Sequence, residues 1–207
     1  MTPKTNQAAK VGGGNQEGRP PADFYETPSV AVTALLDVEE FHGKTWEPAC
    51  GKGAISEVLR DYGISVLSSD KHDYGYGDSG IDFLRKRHRE KYMLDADNII
   101  TNPPFKLAVD FALLGCDFIR QTHGKLALLE RLVWLESAAR KPMFESTPLA
   151  RVHVFSRRLP RMHRPDYKEH KAASMVAFAW FVWEWDHEGP PTLSWIDWRE
   201  HVDQDNG

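Results

Sequence analysis

The sequence contains few cysteines and no long apolar segment, and both absences narrow the class of protein. Only two of its 207 residues are cysteine, Cys50 and Cys116, so a disulfide framework or a cysteine-based zinc site is excluded. No apolar run approaches the roughly 20 residues of a membrane-spanning helix. The amino terminus lacks the charged-then-apolar pattern of a signal peptide. We therefore expect a cytoplasmic protein, and we predict no metal site.

An excess of positive charge is also lacking. The net charge is −4 at pH 7, which by itself does not indicate a nucleic-acid-binding protein. The distribution of charge is more informative than its sum. Between residues 151 and 171, seven lysines and arginines stand against two acidic residues, and a second basic run covers 85–91. Each run fits either a solvated face or a phosphate-binding surface.

The length and composition fit one α/β domain. A chain of 207 residues that is 41% hydrophobic can fill one sizeable core and leaves little room for another. Residues 1–22 are polar and rich in glycine and proline, which predicts a flexible tail. We assign residues 23–200 to the folded domain and 201–207 to a carboxy-terminal tail.

Short apolar runs alternate with helical periodicity along this domain. The strands are predicted at 45–46, 64–67, 97–101, 126–129, 150–156 and 174–185, and the helices at 29–40, 53–62, 107–120 and near 135–145. This alternation indicates a mostly parallel sheet covered on both faces. Ligands of such sheets bind beyond the carboxyl ends of the strands. The alternating Trp180, Trp183 and Trp185 favour packing of one sheet face over base-stacking platforms.

The segment Glu-Pro-Ala-Cys-Gly-Lys-Gly, from Glu47 to Gly53, joins the first strand to its helix. Its two glycines allow a sharp turn and a close approach to a ligand. A phosphate-binding P-loop is excluded because Gly53 follows Lys52, and a dinucleotide fingerprint lacks its third glycine at Ser56. The acid Glu47 suits a ligand with a positive ammonium or sulfonium group, such as S-adenosylmethionine. An ordinary tight turn is the alternative.

Further along the chain, two acidic residues follow predicted strands or turns. Asp70 ends the second strand, where a carboxylate can accept hydrogen bonds from both hydroxyls of a ribose. Asp82 is placed to bind the amino group of an adenine, with Phe83 against the ring. Each acid alone also fits an ordinary surface carboxylate. Their order and spacing make the set more specific than its members.

The most informative stretch is Asn102-Pro103-Pro104-Phe105, at the end of a predicted strand. Two successive prolines end sheet pairing and make a stiff turn without amide donors. The side-chain oxygen of Asn102 and the carbonyl of Pro103 can then accept both hydrogens of one amino group, while Phe105 offers a face for stacking a base. An ordinary turn is again the alternative.

Together, the Glu47–Gly53 and Asn102–Phe105 motifs resemble those of the class I adenine-N6 methyltransferases, and most closely the small phage and prophage-type DNA adenine methylases. The preceding Phe-Tyr-Glu-Thr-Pro, 24–28, is similar to the family's segment that lines the methionine pocket. The resemblance implies a single Rossmann-like class I methyltransferase domain, with a seven-stranded mostly parallel sheet and a reversed last strand at 174–185. It implies catalysis by Asn102, Pro103, Pro104 and Phe105, and S-adenosylmethionine binding by Tyr25, Thr27, Pro28, Glu47, Pro48, Ala49, Cys50, Gly51, Asp70, Asp82, Phe83 and Asn102.

The chain departs from this family in two respects. Phe105 stands where the family often has tyrosine, and the chain has little room for a long target-recognition region. We therefore expect relaxed or short sequence specificity. The same signature also serves enzymes that methylate glutamine side chains, ribosomal RNA or tRNA, and a non-catalytic nucleic-acid-binding module on the same scaffold is a further alternative.

We expect the nucleic acid, which we take to be DNA, to contact the loop that precedes the last strand. A base inside a duplex cannot reach a buried pocket, so the substrate is flipped out or single-stranded. Phosphate contacts hold it without specifying sequence. The residues predicted to make them are Arg157, Arg158, Arg161, His163 and Arg164.

Overall fold

The fold is that of a computed structural model, which describes residues 26–160 and 174–201. Tyr25, Arg161, His163 and Arg164, all predicted site residues, lie outside this part. The helices are α1 Ser29–Leu36, α2 Ala54–Asp61, α3 Lys86–Met93, α4 Ala108–Thr122 and α5 Lys141–Ser146, with short 3-10 helices at Phe105–Leu107, Leu132–Leu135 and Trp198–His201. The strands are β1 Thr45–Glu47, β2 Val66–Ser68, β3 Asn98–Thr101, β4 Lys125–Arg131, β5 Leu149–Phe155, β6 Phe178–Glu184 and β7 Thr192–Ile196.

The strands form one seven-stranded sheet in the order β2-β1-β3-β4-β6-β5-β7. β1 pairs in parallel with β2 and β3, and β3 pairs in parallel with β4. In contrast, β6 is antiparallel to both of its neighbours, β4 and β5. The predicted α/β fold, with a mostly parallel sheet and a reversed strand late in the chain, is confirmed.

The edge strand β7, which pairs in parallel with β5, is not predicted from the sequence. Of its five residues only Ile196 is buried, and Trp195 is 70% exposed. A strand of this kind lacks the buried apolar run by which the other strands are recognised. The reversed strand is therefore the sixth of seven.

Two apolar cores lie on opposite faces of the sheet, because successive side chains of a strand point to opposite sides. Ile99 packs into the core that contains the buried residues of α4, and Ile100 packs into the core formed with α1 and α2. Trp183 packs into the same core as Ile99, and Trp180 packs into the same core as Ile100. Core packing of these two tryptophans is therefore confirmed, but on both faces rather than one, since they are three positions apart. Trp185 is 40% exposed and stacks on His123.

Two helices, α1 and α5, begin or end away from their predicted bounds, and a third, α3, is not predicted from the sequence. α1 ends at Leu36 instead of continuing to residue 40, and Glu39 beyond it turns into a buried ionic cluster. The basic run at 85–91 folds into α3, anchored by Tyr92, whose ring stacks on Trp46 with centroids 4.3 Å apart. The helix predicted near 135–145 begins only at Lys141, with a proline in its first turn as helix starts favour.

Parallel pairing of β1, β2, β3 and β4 has one consequence for function. The carboxyl ends of these strands, at Glu47, Ser68, Thr101 and Arg131, lie along the same edge of the sheet. Both motifs found in the sequence directly follow strands that end there.

Candidate active site

A cleft opens at this edge, between the β1–α2 loop and the turn after β3. Its lining comes from four separate segments of the chain, and comprises Glu26, Thr27, Ala49, Cys50, Lys52, Ala54, Asp70, Asn102, Pro103, Pro104 and Phe105. Eight of these residues are predicted from the sequence, including all four of the Asn-Pro-Pro-Phe turn. Glu26, Lys52 and Ala54 are not, although Glu26 and Lys52 are each next to a predicted residue and Ala54 lies three positions after Gly51.

The β1–α2 loop turns sharply because its glycines adopt left-handed backbone angles, with φ of 53° at Gly51 and 89° at Gly53. The Gly53 N–H donates to the Cys50 carbonyl at 2.7 Å, which closes the turn. A Cβ at Gly53 would lie 2.3 Å from the Tyr76 ring. The loop therefore requires glycine at this position both for its backbone angle and for space.

Asp70 stands on the cleft wall and is held by two backbone donors. One carboxylate oxygen accepts from the Gly51 N–H at 3.0 Å, and the other accepts from the His72 N–H at 2.8 Å. These bonds join the end of β2 to the turn of the β1–α2 loop. A carboxylate has about four acceptor positions, so Asp70 retains capacity for a ligand.

Glu47 does not line the cleft, in contrast to the expectation that it faces a positive ligand. Its carboxyl is 2% exposed and accepts from the backbone N–H of Ser56 at 2.8 Å and from the Ser56 hydroxyl. Ser56 lies in the first turn of α2, where unpaired N–H groups attract acids. Burial raises the pKa of Glu47 to about 8, although the bonds from Ser56 oppose this rise.

Asp82 and Phe83 also lie outside the cleft lining. Asp82 accepts from the Leu84 N–H at 3.1 Å and pairs with Lys71 at 3.2 Å. Phe83 is 2% exposed, and its ring stacks on Phe111 with centroids 4.5 Å apart. In this structure Phe83 is a core residue, since an apolar ring beside Phe111 and Trp46 gains more from burial than from an open cleft.

The remaining predicted cofactor residues support the cleft from behind. Pro28 immediately precedes α1 and has the extended backbone conformation that ends the preceding segment. Pro48 and Gly51 are buried within the β1–α2 loop. Pro28, Pro48 and Gly51 do not line the cleft, and they restrict the backbone conformation of the segments that do.

The turn after β3 is fixed by its prolines and by one hydrogen bond across the cleft. The Asn102 amide nitrogen donates to the Thr27 hydroxyl at 3.1 Å, so the side-chain oxygen is the acceptor end of the amide. The Pro104 carbonyl accepts from the Leu107 N–H at 2.7 Å and starts the short 3-10 helix that carries Phe105. Thr27 therefore orients the side chain on which the predicted chemistry depends.

Arg131 is a further residue beside this turn that sequence reasoning missed. Its guanidinium lies over the Phe105 ring, with 4.8 Å between the guanidinium carbon and the ring centroid. Arg131 ends β4, the strand next to β3, which is the signal that could have identified it.

The described part of the predicted phosphate-binding loop contains Arg157 and Arg158. Arg157 is paired with Asp197 at 2.6 Å, whereas the exposed Arg158 accepts a bond from Trp198 only through its backbone carbonyl. Arg151, the first cation of the basic run, lies at the opposite edge of the sheet and pairs with Glu39 and Glu184. The three described arginines of the basic run therefore lie at two different edges of the sheet.

Two other kinds of site were sought in residues 26–160 and 174–201. None of the helices there has the length and apolar character that crossing a membrane requires. Nor does this part of the chain gather three histidine, cysteine or acidic side chains into a metal-binding group.

No family model matches the chain, and no curated protein matches it. Among solved structures, it is similar to a protein from Vibrio vulnificus YJ016 described as a modification subunit of a type I restriction enzyme, with 16% identity and a TM-score of 0.54. That match covers 84% of this chain and 47% of the other, so the chain spans about half the length of the Vibrio protein.

Two further structures share less of the geometry. Precorrin-6y C5,15-methyltransferase from Geobacter metallireducens GS-15 has 10% identity and a TM-score of 0.49, over 75% of this chain and 88% of that one. The M protein of the type I restriction enzyme EcoKI has 14% identity and a TM-score of 0.47, over 76% and 43%. The sheet topology and the likeness to the Vibrio protein show that the chain has the Rossmann-like methyltransferase fold.

Proposed function

We propose that the protein is an S-adenosylmethionine-dependent methyltransferase that methylates the N6 amino group of adenine in DNA. The observation that carries the proposal is a single cleft lined by both the β1–α2 loop and the Asn102–Phe105 turn. Methyl transfer requires donor and acceptor in contact, and positioning alone supplies a large part of the rate. A cleft that joins these two segments meets this requirement.

The residues on the β1–α2 side of the cleft fit S-adenosylmethionine. Asp70 is fixed by two backbone bonds and has acceptor capacity for the ribose hydroxyls. Ala49 and Cys50 bring the loop backbone close to the ligand, and Thr27 forms the wall opposite. When bound, S-adenosylmethionine supplies an electrophilic methyl group.

The residues on the other side suit an exocyclic amino group. The Asn102 side-chain oxygen and the Pro103 carbonyl accept its two hydrogens, which draws the nitrogen lone pair out of conjugation with the ring. Because two prolines stiffen the turn, these acceptors need little rearrangement. Phe105 lies half-buried at the same cleft and provides an apolar face for the base.

DNA is the proposed source of the adenine. The exposed Arg158 stands where β5 leads into the loop predicted to bind phosphates. The structural likeness to a restriction-enzyme modification subunit supports the same class of substrate. We expect relaxed or short sequence specificity, because phosphate contacts hold a nucleic acid without specifying its sequence.

The test is transfer of label from methyl-labelled S-adenosylmethionine to duplex DNA, single-stranded DNA and total RNA, followed by nucleoside chromatography. We expect label in N6-methyladenine from DNA. Asn102→Ala should abolish it, and in calorimetry should lower cofactor affinity far less than it lowers transfer, because the main role proposed for Asn102 is on the acceptor. Gln121→Ala, which removes an amide from the exposed surface of α4, is the matched control and should retain full activity.

Each other outcome has a defined meaning. Label only in RNA would retain the mechanism and change the substrate. Label only in added protein would favour a glutamine methyltransferase, and DNA binding without cofactor binding would favour a non-catalytic module. An Asn102→Ala variant as active as the parent would contradict the assigned role of the turn.

A further inference from the structure

Arg131 has no ionic partner at the edge where the cleft opens. It is exposed, and it makes no ion pair with any carboxylate in the described residues. The adjacent Glu130 accepts from the Arg131 backbone N–H at 3.3 Å and not from the guanidinium. Arg157, close by at the end of β5, is instead paired with Asp197. Within the described residues, Arg131 therefore carries a positive charge beside Phe105 that no carboxylate pairs.

A contact with the Phe105 ring fixes the place of this charge, and the Phe178 ring lies beside Phe105. Phe178 pairs with Arg131 in the β4–β6 register, and its ring centroid lies 6.1 Å from that of Phe105. The guanidinium lies over the Phe105 ring at 4.8 Å. Contact with a ring engages the flat face of a guanidinium, whereas all its N–H donors lie in the plane. Stacking on Phe105 thus holds the Arg131 guanidinium in position and leaves the N–H donors at its edge available to a ligand.

We propose that Arg131 binds a backbone phosphate of the nucleic acid whose base enters the cleft. An exposed guanidinium with free in-plane donors matches the two oxygens of a phosphate in a bidentate arrangement. Its position on Phe105 places this anchor next to the acceptor base rather than at a distant surface. The inference rests on the proposed function, and it assigns to the same site a residue outside both sequence motifs.

The experiment measures binding of a fluorescent single-stranded oligodeoxynucleotide and a duplex by anisotropy over a series of salt concentrations. Arg131→Met keeps an apolar chain of similar reach but removes the charge. We expect its Kd to rise severalfold at low salt. The slope of log affinity against log salt should fall by about 0.9 for the duplex or about 0.7 for the single strand, as expected for one phosphate contact.

Two controls separate a phosphate contact from a structural effect. Arg120→Met removes an exposed cation from the carboxyl end of α4 and should leave the salt slope unchanged. Arg131→Lys should restore the salt slope but only part of the affinity, since it restores the charge but not the planar fork. The Kd for S-adenosylmethionine should be the same in all variants.

The outcomes also distinguish this inference from the proposed function. If the parent methylates DNA but Arg131→Met binds it with the same affinity and salt slope, the anchor is refuted and the proposed function stands. If the parent binds no nucleic acid and transfers no label to it, both are refuted. A lower thermal midpoint for Arg131→Met with an unchanged salt slope would assign Arg131 a structural role instead.

Discussion

At the scale of single residues, the most unusual group near the cleft is the carboxyl of Glu130. Its side chain is 1% exposed, and one of its oxygens has no hydrogen-bond partner in the described part of the chain. Burial raises the pKa of Glu130 to about 8, although the Arg131 backbone N–H and two arginine charges oppose the rise. The folded protein therefore holds a proton here that the unfolded chain releases at lower pH.

This difference predicts how stability depends on pH. Because the folded pKa is above the ordinary value of 4.5, the free energy of unfolding should fall as pH rises from 4.5 to about 8. Glu130→Gln cannot ionise, so it should be more stable than the parent at pH 8 and similar to it near pH 5. Urea unfolding at both pH values measures this difference.

A second buried carboxyl limits the size of the expected change in slope, and an exposed carboxyl provides the control. Glu47, whose pKa is also raised to about 8 by burial, still titrates in the variant, so the slope should decrease rather than vanish. Glu136→Gln, which changes an exposed carboxyl a few residues away, should behave as the parent does. An equal gain for Glu130→Gln at pH 5 and pH 8 would show that ionisation is not the cause.

At the scale of elements, the β1–α2 loop is the piece whose shape determines the cleft. Its positive φ at Gly53 coincides with the start of α2 and with the close approach of Tyr76. Tyr76 in turn donates to Glu57 and accepts from Arg60, both on α2. A side chain at Gly53 would therefore disturb the backbone of the loop, the start of α2 and the position of the Tyr76 ring.

Gly53→Ala is predicted to lose both stability and cofactor affinity. A side chain at positive φ costs more than about 1 kcal/mol, and here the Tyr76 ring must also move. Gly63→Ala is the matched control, because Gly63 has φ of 75° but no atom within 4 Å of the added Cβ. It should lose stability only. Urea unfolding and calorimetry with S-adenosylmethionine measure the two quantities, and equal cofactor Kd values would exclude a role of the loop shape in binding.

At the scale of the whole molecule, a buried ionic cluster joins distant parts of the chain at the edge opposite the cleft. Glu39, in the loop after α1, accepts from Lys125 on β4, and from Arg151 and His153 on β5. Its side chain is 2% exposed. Burial alone would raise the pKa of Glu39, but the bonds from His153, Arg151 and Lys125 outweigh it and lower the pKa to about 2.

Glu39→Gln is predicted to destabilise the fold by about 1.5–3 kcal/mol at pH 7, the range for hydrogen bonds to charged groups, since the partly buried Arg151 and Lys125 keep Glu184 but lose the Glu39 carboxylate. The folded pKa is below the ordinary value of 4.5, so this stabilisation is present above pH 4.5 and is lost as pH falls toward 2. The difference between parent and variant should therefore shrink across that interval in urea unfolding.

The neighbouring Glu40 provides the control for the cluster. Its carboxyl is 85% exposed and pairs with the equally exposed His42, an arrangement that contributes little. Glu40→Gln should stay within about 0.5 kcal/mol of the parent. A similar loss for both variants would show that net charge, rather than the buried cluster, accounts for the effect.

The sequence by itself determined the features that depend on local chemistry. Apolar periodicity located six strands and the main helices, and glycine and proline located the turns at Gly51–Gly53 and Pro103–Pro104, because these residues restrict the backbone wherever they stand. The order of strands and helices was enough to predict a mostly parallel sheet, and hence the edge at which both motifs lie. Eight cleft residues were predicted from that reasoning together with the family resemblance, which alone supplied Thr27.

Tertiary structure alone decided where side chains with several possible partners would point. Glu47 turned to the start of α2, Phe83 entered the core and Arg151 joined Glu39 at the far edge, because each found a partner distant in sequence. The spacing of residues along the sequence does not predict which of these side chains will be in contact. The exposed strand β7 and the stacking of Arg131 on Phe105 were missed for the same reason, since both arise only when neighbouring strands are aligned in the sheet.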